Sequence, residues 1–489
     1  MDGFLGIDVG TSSVKAVLID GAQRLVAEGS APLGVSRPRP TWSEQDPPDW
    51  WRATEAAVAA VRAAAPEALA ATAAIGLSGQ QHGATVLDAA GEVLRPAILW
   101  NDGRAGQECR DLLALVPDFT RRCANTTMPG FTAPKLLWLS RHEPAVFARI
   151  ARVLLPKDYV RFRMTGAYVS DMSDSAGTLW LDVARRAWDD VLLAATGLHR
   201  GQMPALVEGS AVSAMLRPDV AAAWGMGRRA VPVAGGGGDN AASAVGIGAV
   251  AAGEGFLSLG TSGVAFVATE HPVALPERTL HAFCHALPGR WHGMTVALSA
   301  AAALDWIAGI TGFGADIAGL VDRAEAFAAD GAARAGAPVF LPYLTGERTP
   351  HNDPAATAAF AGLRIGHGAA ALAYAVMEGV AFALADGLDV LTAAGAAPRS
   401  LVLVGGGARS GFWAQLIADA TGVGFDIPDG AERGAAFGAA RLGMLAAGMT
   451  EAEVCIKRPV RGRIEPACGP GTLDLAARRR RMTALYAPG

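Results

Sequence analysis

Two stretches far apart in the chain carry one pattern, and that duplication limits the fold more than any other feature. Residues 4–19 read FLGIDVGTSSVKAVLI and residues 255–268 read GFLSLGTSGVAFVA. In the first, Leu5, Ile7 and Val9 alternate with Gly6 and Asp8, the period of a pleated strand. Gly10, Thr11, Ser12 and Ser13 make a turn, and Val14, Ala16 and Leu18 then alternate with Lys15 and Val17. Laying Gly260 on Gly10 puts Thr261 on Thr11, Ser262 on Ser12 and Val264 on Val14. Leu257 and Leu259 fall on Ile7 and Val9, and Ser258 falls on Asp8. The chain reads as two related halves, each opening with a glycine-hydroxyl hairpin. A carboxylate near a strand end, beside backbone N–H groups and three hydroxyls, suits a magnesium ion next to phosphate oxygens. The plainer reading of the first copy alone is a hairpin with an ordinary polar turn. Two such hairpins facing across a cleft can clamp a polyphosphate from both sides, with the acid on one side only.

A chain of 489 residues is long enough for each half to bury its own core. Hydrophobic residues at 51% and charged residues at 18% fit a globular protein and exclude extensive disorder. The formal charge of −4 leaves no excess of Lys and Arg, which argues against general nucleic-acid binding. The one basic run, Arg478–Arg481, reads as a solvated helix end. Mean hydropathy is positive, +0.27, but it comes from alanine. The longest apolar candidate for a membrane span, residues 369–385, contains Glu378 and Gly379. No secretory signal is read at the N-terminus. The five cysteines, 109, 123, 284, 455 and 468, lack C-x-x-C spacing and fit reduced thiols in the cytoplasm.

Along the first half, residues 24–30 read as a third strand closing a meander, and residues 37–48 as a surface loop. Asp49 is a plausible helix N-cap. Ala74–Leu77 is a short buried strand running into Ser78-Gly79-Gln80-Gln81-His82-Gly83. Strand ends in open α/β sheets are where ligands bind, and Gln81 and His82 suit sugar hydroxyls. His82 capping a backbone carbonyl is the plainer reading. A further strand, Pro96–Trp100, leads to Asn101, Asp102 and Arg104. Trp100 suits either an apolar wall for a sugar's carbon face or plain core. Residues 107–150 read as helical, with a helix starting at Pro134 and Lys135 in its first turn as either a functional or a solvated lysine. Asp171–Thr178 is a polar loop whose acids suit capping. Val231–Ala234 ends in Gly235-Gly236-Gly237-Gly238-Asp239-Asn240 before a helix. Four glycines exceed what capping needs and let backbone approach a ligand, with Asp239 at the helix start.

In the second half, residues 293–310 read as a helix carrying Asp305 and Trp306. Pro342–Pro354 is a polar loop, and Ala369–Leu391 a long helix carrying Glu378. Leu401–Val404 ends in Gly405-Gly406-Gly407, followed by a helix, another turn that backbone N–H groups can offer to a nucleotide.

By its motifs the chain resembles the FGGY carbohydrate kinases, which share the fold of sugar kinases, actins and chaperone ATPases. The likeness runs essentially end to end: GIDVGTSSVKAVLID, SGQQHG, LRPAILWNDGR, GFTAPKLLW, LLPKDYVRFRMTG, SDMSDSAGTLWLDV, GGGGDNAA, SLGTSG, YLTGERTPHNDP and GGGARSGFW. SGQ-x-HG with ERTPHNDP points to the xylulokinase branch. Two positions depart: Gln81 stands where that branch often has Met, and Ala371 where a polar residue is usual.

The resemblance implies an α/β, two-domain fold built from duplicated ribonuclease H-like domains. Residues 1–245 would bind sugar and carry the catalysis, and residues 246–489 would bind nucleotide. It implies ATP-dependent phosphorylation of D-xylulose with Mg2+, Asp239 acting as general base and Asp8 orienting the metal. Gly10, Thr11, Ser12 and Ser13 with Gly260, Thr261 and Ser262 would cradle phosphates. Gly406 and Gly407 would border the adenosine, with Trp306 near it. Gln81, His82, Asp239 and Asn240 would hold the sugar, with Trp100 as a wall. An ordinary carboxylate pKa would suffice for the base. A homodimer is a family-level expectation. Two other readings stay open: a kinase for another sugar or polyol such as ribulose, gluconate or glycerol, and an actin- or chaperone-like ATPase.

Overall fold

The computed structural model describes residues 2–227, 230–429, 433–467 and 474–487. Two seven-stranded sheets organise the chain, and each is centred on one of the duplicated hairpins. In the first, Gly3–Val9 pairs antiparallel with Ser13–Asp20, which pairs antiparallel with Leu25–Pro32. Gly3–Val9 also runs parallel to Thr72–Gly79. The second sheet repeats this plan. Glu254–Leu259 pairs antiparallel with Gly263–Thr269, that strand antiparallel with Trp291–Ala297, and Glu254–Leu259 parallel to Ser400–Val404.

The copies differ at the turn. Val9 faces Val14 in the first hairpin, whereas Leu259 faces Gly263 in the second. The second turn is therefore one residue shorter. Val264 occupies the pairing position of Lys15, opposite Ser258, and not that of Val14 as the aligned sequences suggest.

Leu5, Ile7, Val9, Val14, Ala16 and Leu18 are fully buried. Each of the buried Leu, Ile and Val side chains contributes about 1.5–3 kcal/mol to folding. Helices Asp239–Ile247 and Gly434–Ala446 pack together between the sheets. A Cβ on Gly438 would lie 1.7 Å from Ala242 O, so this approach needs glycine.

The second half also reaches into the first. Phe283, Cys284, Met294 and Val296 share a core with Phe131, Trp138 and Trp180. Asn125 Nδ2 donates to Ala282 O at 2.8 Å, and Asn125 Oδ1 accepts from Ala282 N–H at 2.9 Å. That amide pairs like one more residue at the edge of the second sheet.

Several local expectations are corrected. Residues 291–297 form a strand, and the helix bearing Asp305 and Trp306 is Ala301–Ile310. Strand pairing on both sides outweighs a short apolar run that carries no clear period. The helix assigned an Asp49 cap starts at Pro47, because two prolines suit its first positions. The helix expected from Pro134 starts at Thr132. The strand expected over Pro96–Trp100 is Ala97–Ile98 alone, paired with Glu44–Gln45. Those two partners are buried, so the stretch is only in part a surface loop. The polar loop 171–178 contains helix Met172–Ala176, N-capped by Asp171. Arg478 is no solvated helix end: it is buried, and its Nη2 lies 2.6 Å from Glu378 Oε2.

Helix Ala369–Ala393 has the length and apolar composition to cross a membrane, yet most of it is buried inside the second half. Cys109, Cys123, Cys284 and Cys455 are free thiols, and Cys468 lies outside the described residues.

Candidate active site

The N-terminal turn is held by a lattice of amides that sequence reasoning missed. Gln80 Nε2 donates to Gln45 Oε1 at 2.8 Å, and Gln45 Nε2 donates to Thr11 O at 2.7 Å. Thr11 Oγ1 donates to Gln80 Oε1 at 2.9 Å and accepts from Trp100 Nε1 at 3.0 Å. Gly10 N–H closes the turn on Ser13 O at 3.1 Å. Trp100 is thus bonded to the turn expected to hold phosphate and stands half-buried beside it. The one signal available was position: Gln80 sits in the same SGQQHG run as Gln81.

A cavity of about 240 Å³ lies between the hairpins. Asp8, Lys15, Asn240, Ser258, Gly405 and Arg433 are among its lining residues. Asp8 Oδ1 is shut off from solvent and has no hydrogen-bond partner among the described residues. Burial raises the Asp8 carboxyl above its ordinary range, against the pull of the Ser78 hydroxyl and of Lys15. One orphaned carboxylate oxygen fits Mg2+, which is commonly bound by one or two carboxylates plus substrate phosphates, and Lys15 and Arg433 at the cavity border suit those phosphates. Lys15 and Arg433 were not singled out from sequence.

Asp239 opens helix Asp239–Ile247, and Gly238, not Asp239, is its cap. Asp239 Oδ1 accepts two hydrogen bonds from Asn240, from the backbone at 2.8 Å and from Nδ2 at 2.9 Å. Oδ2 has no hydrogen-bond partner among the described residues. Burial first, and the charge of Asp8 second, push the Asp239 carboxyl up to about 7. An ordinary carboxylate pKa would suffice for a base, and this carboxyl lies above that range. A base with that affinity is matched to neutral solution.

Gln81 and His82 arrive beside this helix start. A Cβ on Gly238 would lie 2.7 Å from Gln81 Nε2, so the Gln81 amide rests on the residue preceding Asp239. His82 Nδ1 is 2.7 Å from Gly177 O, which makes Nδ1 the donor. Burial, then the charge of Lys135, lower His82 to about 3, so the ring is neutral and Nε2 is an acceptor. The plainer reading of His82 is therefore met, since Nδ1 caps a carbonyl, and Nε2 keeps a lone pair that this contact does not use.

Lys135 is fully buried, and its Nζ donates to His82 O at 2.9 Å. It steadies the loop and is not solvated. Asp102 and Arg104 turn inward. Asp102 Oδ2 accepts from Ser43 N–H at 2.6 Å, and Arg104 lies 3.6 Å from the Trp42 ring centroid.

In the second half, Gly260 N–H bonds Ser262 O at 3.1 Å, while Ala300 and Ala301 N–H bond Thr261 O and Gly260 O at 3.0 and 2.8 Å. Gly406 and Gly407 start a short 3-10 turn, Gly406–Arg409. Of this glycine run it is Gly405 that lines the cavity, with φ at 97° and a Cβ position 2.6 Å from Leu259 O. Trp306 stacks on Phe340 and Phe360, with ring centroids 5.8 and 6.5 Å apart.

The comparisons with known proteins agree with this architecture. The N-terminal domain of the FGGY family of carbohydrate kinases matches residues 4–246, and its C-terminal domain matches residues 255–447. The chain is 55% identical to the xylulose kinase of Escherichia coli (strain K12) over 445 residues, covering 91% of this chain and 90% of that one. It is 54% identical to the xylulose kinase of Klebsiella pneumoniae over 444 residues, with the same two coverages. The crystal structure of a "xyloylose kinase" from Brucella ovis superposes with a TM-score of 0.93 at 50% identity, covering 99% of this chain and 98% of that one. With matches across both halves, the chain belongs to the FGGY family of carbohydrate kinases.

Proposed function

We propose that this enzyme transfers the γ-phosphoryl group of ATP to the terminal hydroxyl of D-xylulose, with Asp239 as general base. The observation that carries the reading is the Asp239 carboxylate, with Oδ1 held by Asn240, Oδ2 open, and a proton affinity near neutral. Relatives at 54–55% identity that are xylulose kinases support the choice of sugar.

In this mechanism Asp239 Oδ2 takes the hydroxyl proton as the sugar oxygen bonds to phosphorus. The bond from phosphorus to the bridging oxygen breaks in line, and ADP leaves. His82 Nε2 accepts from a sugar hydroxyl, and the Gln81 amide and Asn240 bind beside it. Trp100 forms a wall. Gly10–Ser13 and Gly260–Ser262 cradle phosphates, and Lys15 faces the same cavity. Asp8 would hold Mg2+, which when bound would neutralise charge on the triphosphate oxygens. Gly405–Gly407 border the nucleoside, and Trp306 lies toward it. Most of the acceleration comes from positioning and charge neutralisation.

We divide the chain at 245/246 into a sugar-binding catalytic domain and a nucleotide-binding domain. The cytoplasm suits the four free thiols. A second reading, a kinase for another sugar or polyol, draws on Gln81 resting beside the base.

The test is initial-rate ADP formation from Mg-ATP with D-xylulose, D-ribulose, L-xylulose, glycerol, gluconate and no sugar. A rate with D-xylulose far above the rest is expected. Preference for another sugar would move the specificity, and equal rates with and without every sugar would overturn the kinase reading.

A further inference from the structure

A charged cluster that the reaction does not use lies behind the glycine run. Lys157 Nζ is 2.6 Å from Asp158 Oδ1, 2.7 Å from Asp171 Oδ1 and 3.0 Å from Asp174 Oδ2. Arg161 Nη1 is 2.7 Å from Asp158 Oδ1. All five side chains are fully buried. Three carboxylates against two cations would leave one uncompensated negative charge, and a buried site relieves that by keeping a proton.

Hydrogen bonding identifies the acid that keeps it. Asp158 Oδ2 accepts from Ser170 Oγ at 2.6 Å, and its Oδ1 accepts from Lys157 and Arg161. Asp171 Oδ2 accepts from Ser173 N–H at 2.7 Å and from Ser173 Oγ at 2.5 Å. Among the described residues neither oxygen of Asp174 has an aligned hydrogen bond. Burial raises Asp174 to about 8, with Asp158 and Asp171 adding to it against Lys157. Strand His281–Cys284, packed against helix Met172–Ala176, brings His281, which burial keeps neutral, and Cys284, whose thiol burial pushes up to about 12.

The cluster grips both ends of the run that leads to Asp239. Arg161 Nη2 donates to Gly235 O. Gly238 N–H donates to Ser173 Oγ at 3.1 Å, and that hydroxyl in turn donates to Asp171.

We propose that Ser173 and the Lys157–Asp174 cluster are positioning residues for Asp239, holding Gly235–Gly238 in register with one proton retained on Asp174. The proposal rests on the reading of Asp239 as the base. Below the Asp174 pKa the cluster is neutral and the run is held. Above it the cluster carries a buried negative charge, and kcat falls.

The test compares pH profiles of kcat, and KM for ATP, for the parent, Ser173→Ala, Asp174→Ala, Asp174→Asn and Asp239→Asn, each checked for folding by circular dichroism. Ser173→Ala is expected to lower kcat about tenfold, the scale of one lost hydrogen bond, with KM for ATP unchanged. The parent should show an alkaline limb near about 8. Asp174→Ala should lower kcat, and Asp174→Asn, the isostere of the protonated acid, should restore it and abolish that limb. Parent-like kcat in Ser173→Ala, or equal losses in Asp174→Asn and Asp174→Ala, would overturn the proposal. Asp239→Asn separates the two claims: if it is inactive while Ser173→Ala is not impaired, positioning alone fails. If Asp239→Asn is fully active, the base assignment fails.

Discussion

Asn240 donates two hydrogen bonds to a single oxygen of Asp239, at 2.8 Å from its backbone and 2.9 Å from its side chain. Both bonds favour the ionised carboxylate and offset part of the rise that burial and Asp8 impose. Asn240→Ala removes the side-chain bond, so the Asp239 pKa rises further. The acid limb of kcat/KM, set by protonation of Asp239 as pH falls through about 7 in the parent, should move to higher pH. An unmoved limb would dissociate Asn240 from the base.

The amide lattice links Gln45 and Gln80 to Thr11. Gln80→Ala takes away the acceptor of the Thr11 hydroxyl and one support of the turn. ATP binding, measured by calorimetry, should weaken about tenfold, the scale of one or two hydrogen bonds, with sugar binding nearly unchanged.

Asp8 has a buried oxygen that nothing in the described structure satisfies. Asp8→Asn keeps the shape and removes the charge. The magnesium concentration for half-maximal rate should rise, while thermal stability should not fall, because a buried carboxylate above its ordinary pKa destabilises the fold at neutral pH.

Arg478 joins the C-terminal helix to Glu378 in the core of the second half, and also donates to Ala337 O and Pro338 O. Removing one partner of a buried pair leaves a charge without compensation. Arg478→Met should cost about 3–5 kcal/mol in denaturant unfolding. Arg480→Met, nearby on the same helix, should be close to neutral.

The strands and glycine turns were legible because their signals are local: alternation in residues 5–18, and four glycines before Asp239. The duplication was legible to the end of the first strand. The one-residue difference in turn length was not, because register depends on pairing across the hairpin. Glu44 and Arg478 read as surface residues in sequence, and Lys135 as either functional or solvated, since their partners, Arg95, Glu378 and His82, lie far along the chain. Gln80 was passed over beside Gln81 because its role depends on residue 45 folding back over the turn. The place of Asp239 at a helix start after the glycine run was legible, but its raised pKa was not, since burial and the nearness of Asp8 arise only in the folded molecule.

The most direct test of the account is single-turnover formation of D-xylulose 5-phosphate by the parent and by Asp239→Asn, with Mg-ATP binding measured in parallel. The account expects the variant to lose about 10²–10⁴-fold in the transfer step, the usual contribution of a general base, while ATP binding is retained. Transfer at the parent rate with D-xylulose would contradict it.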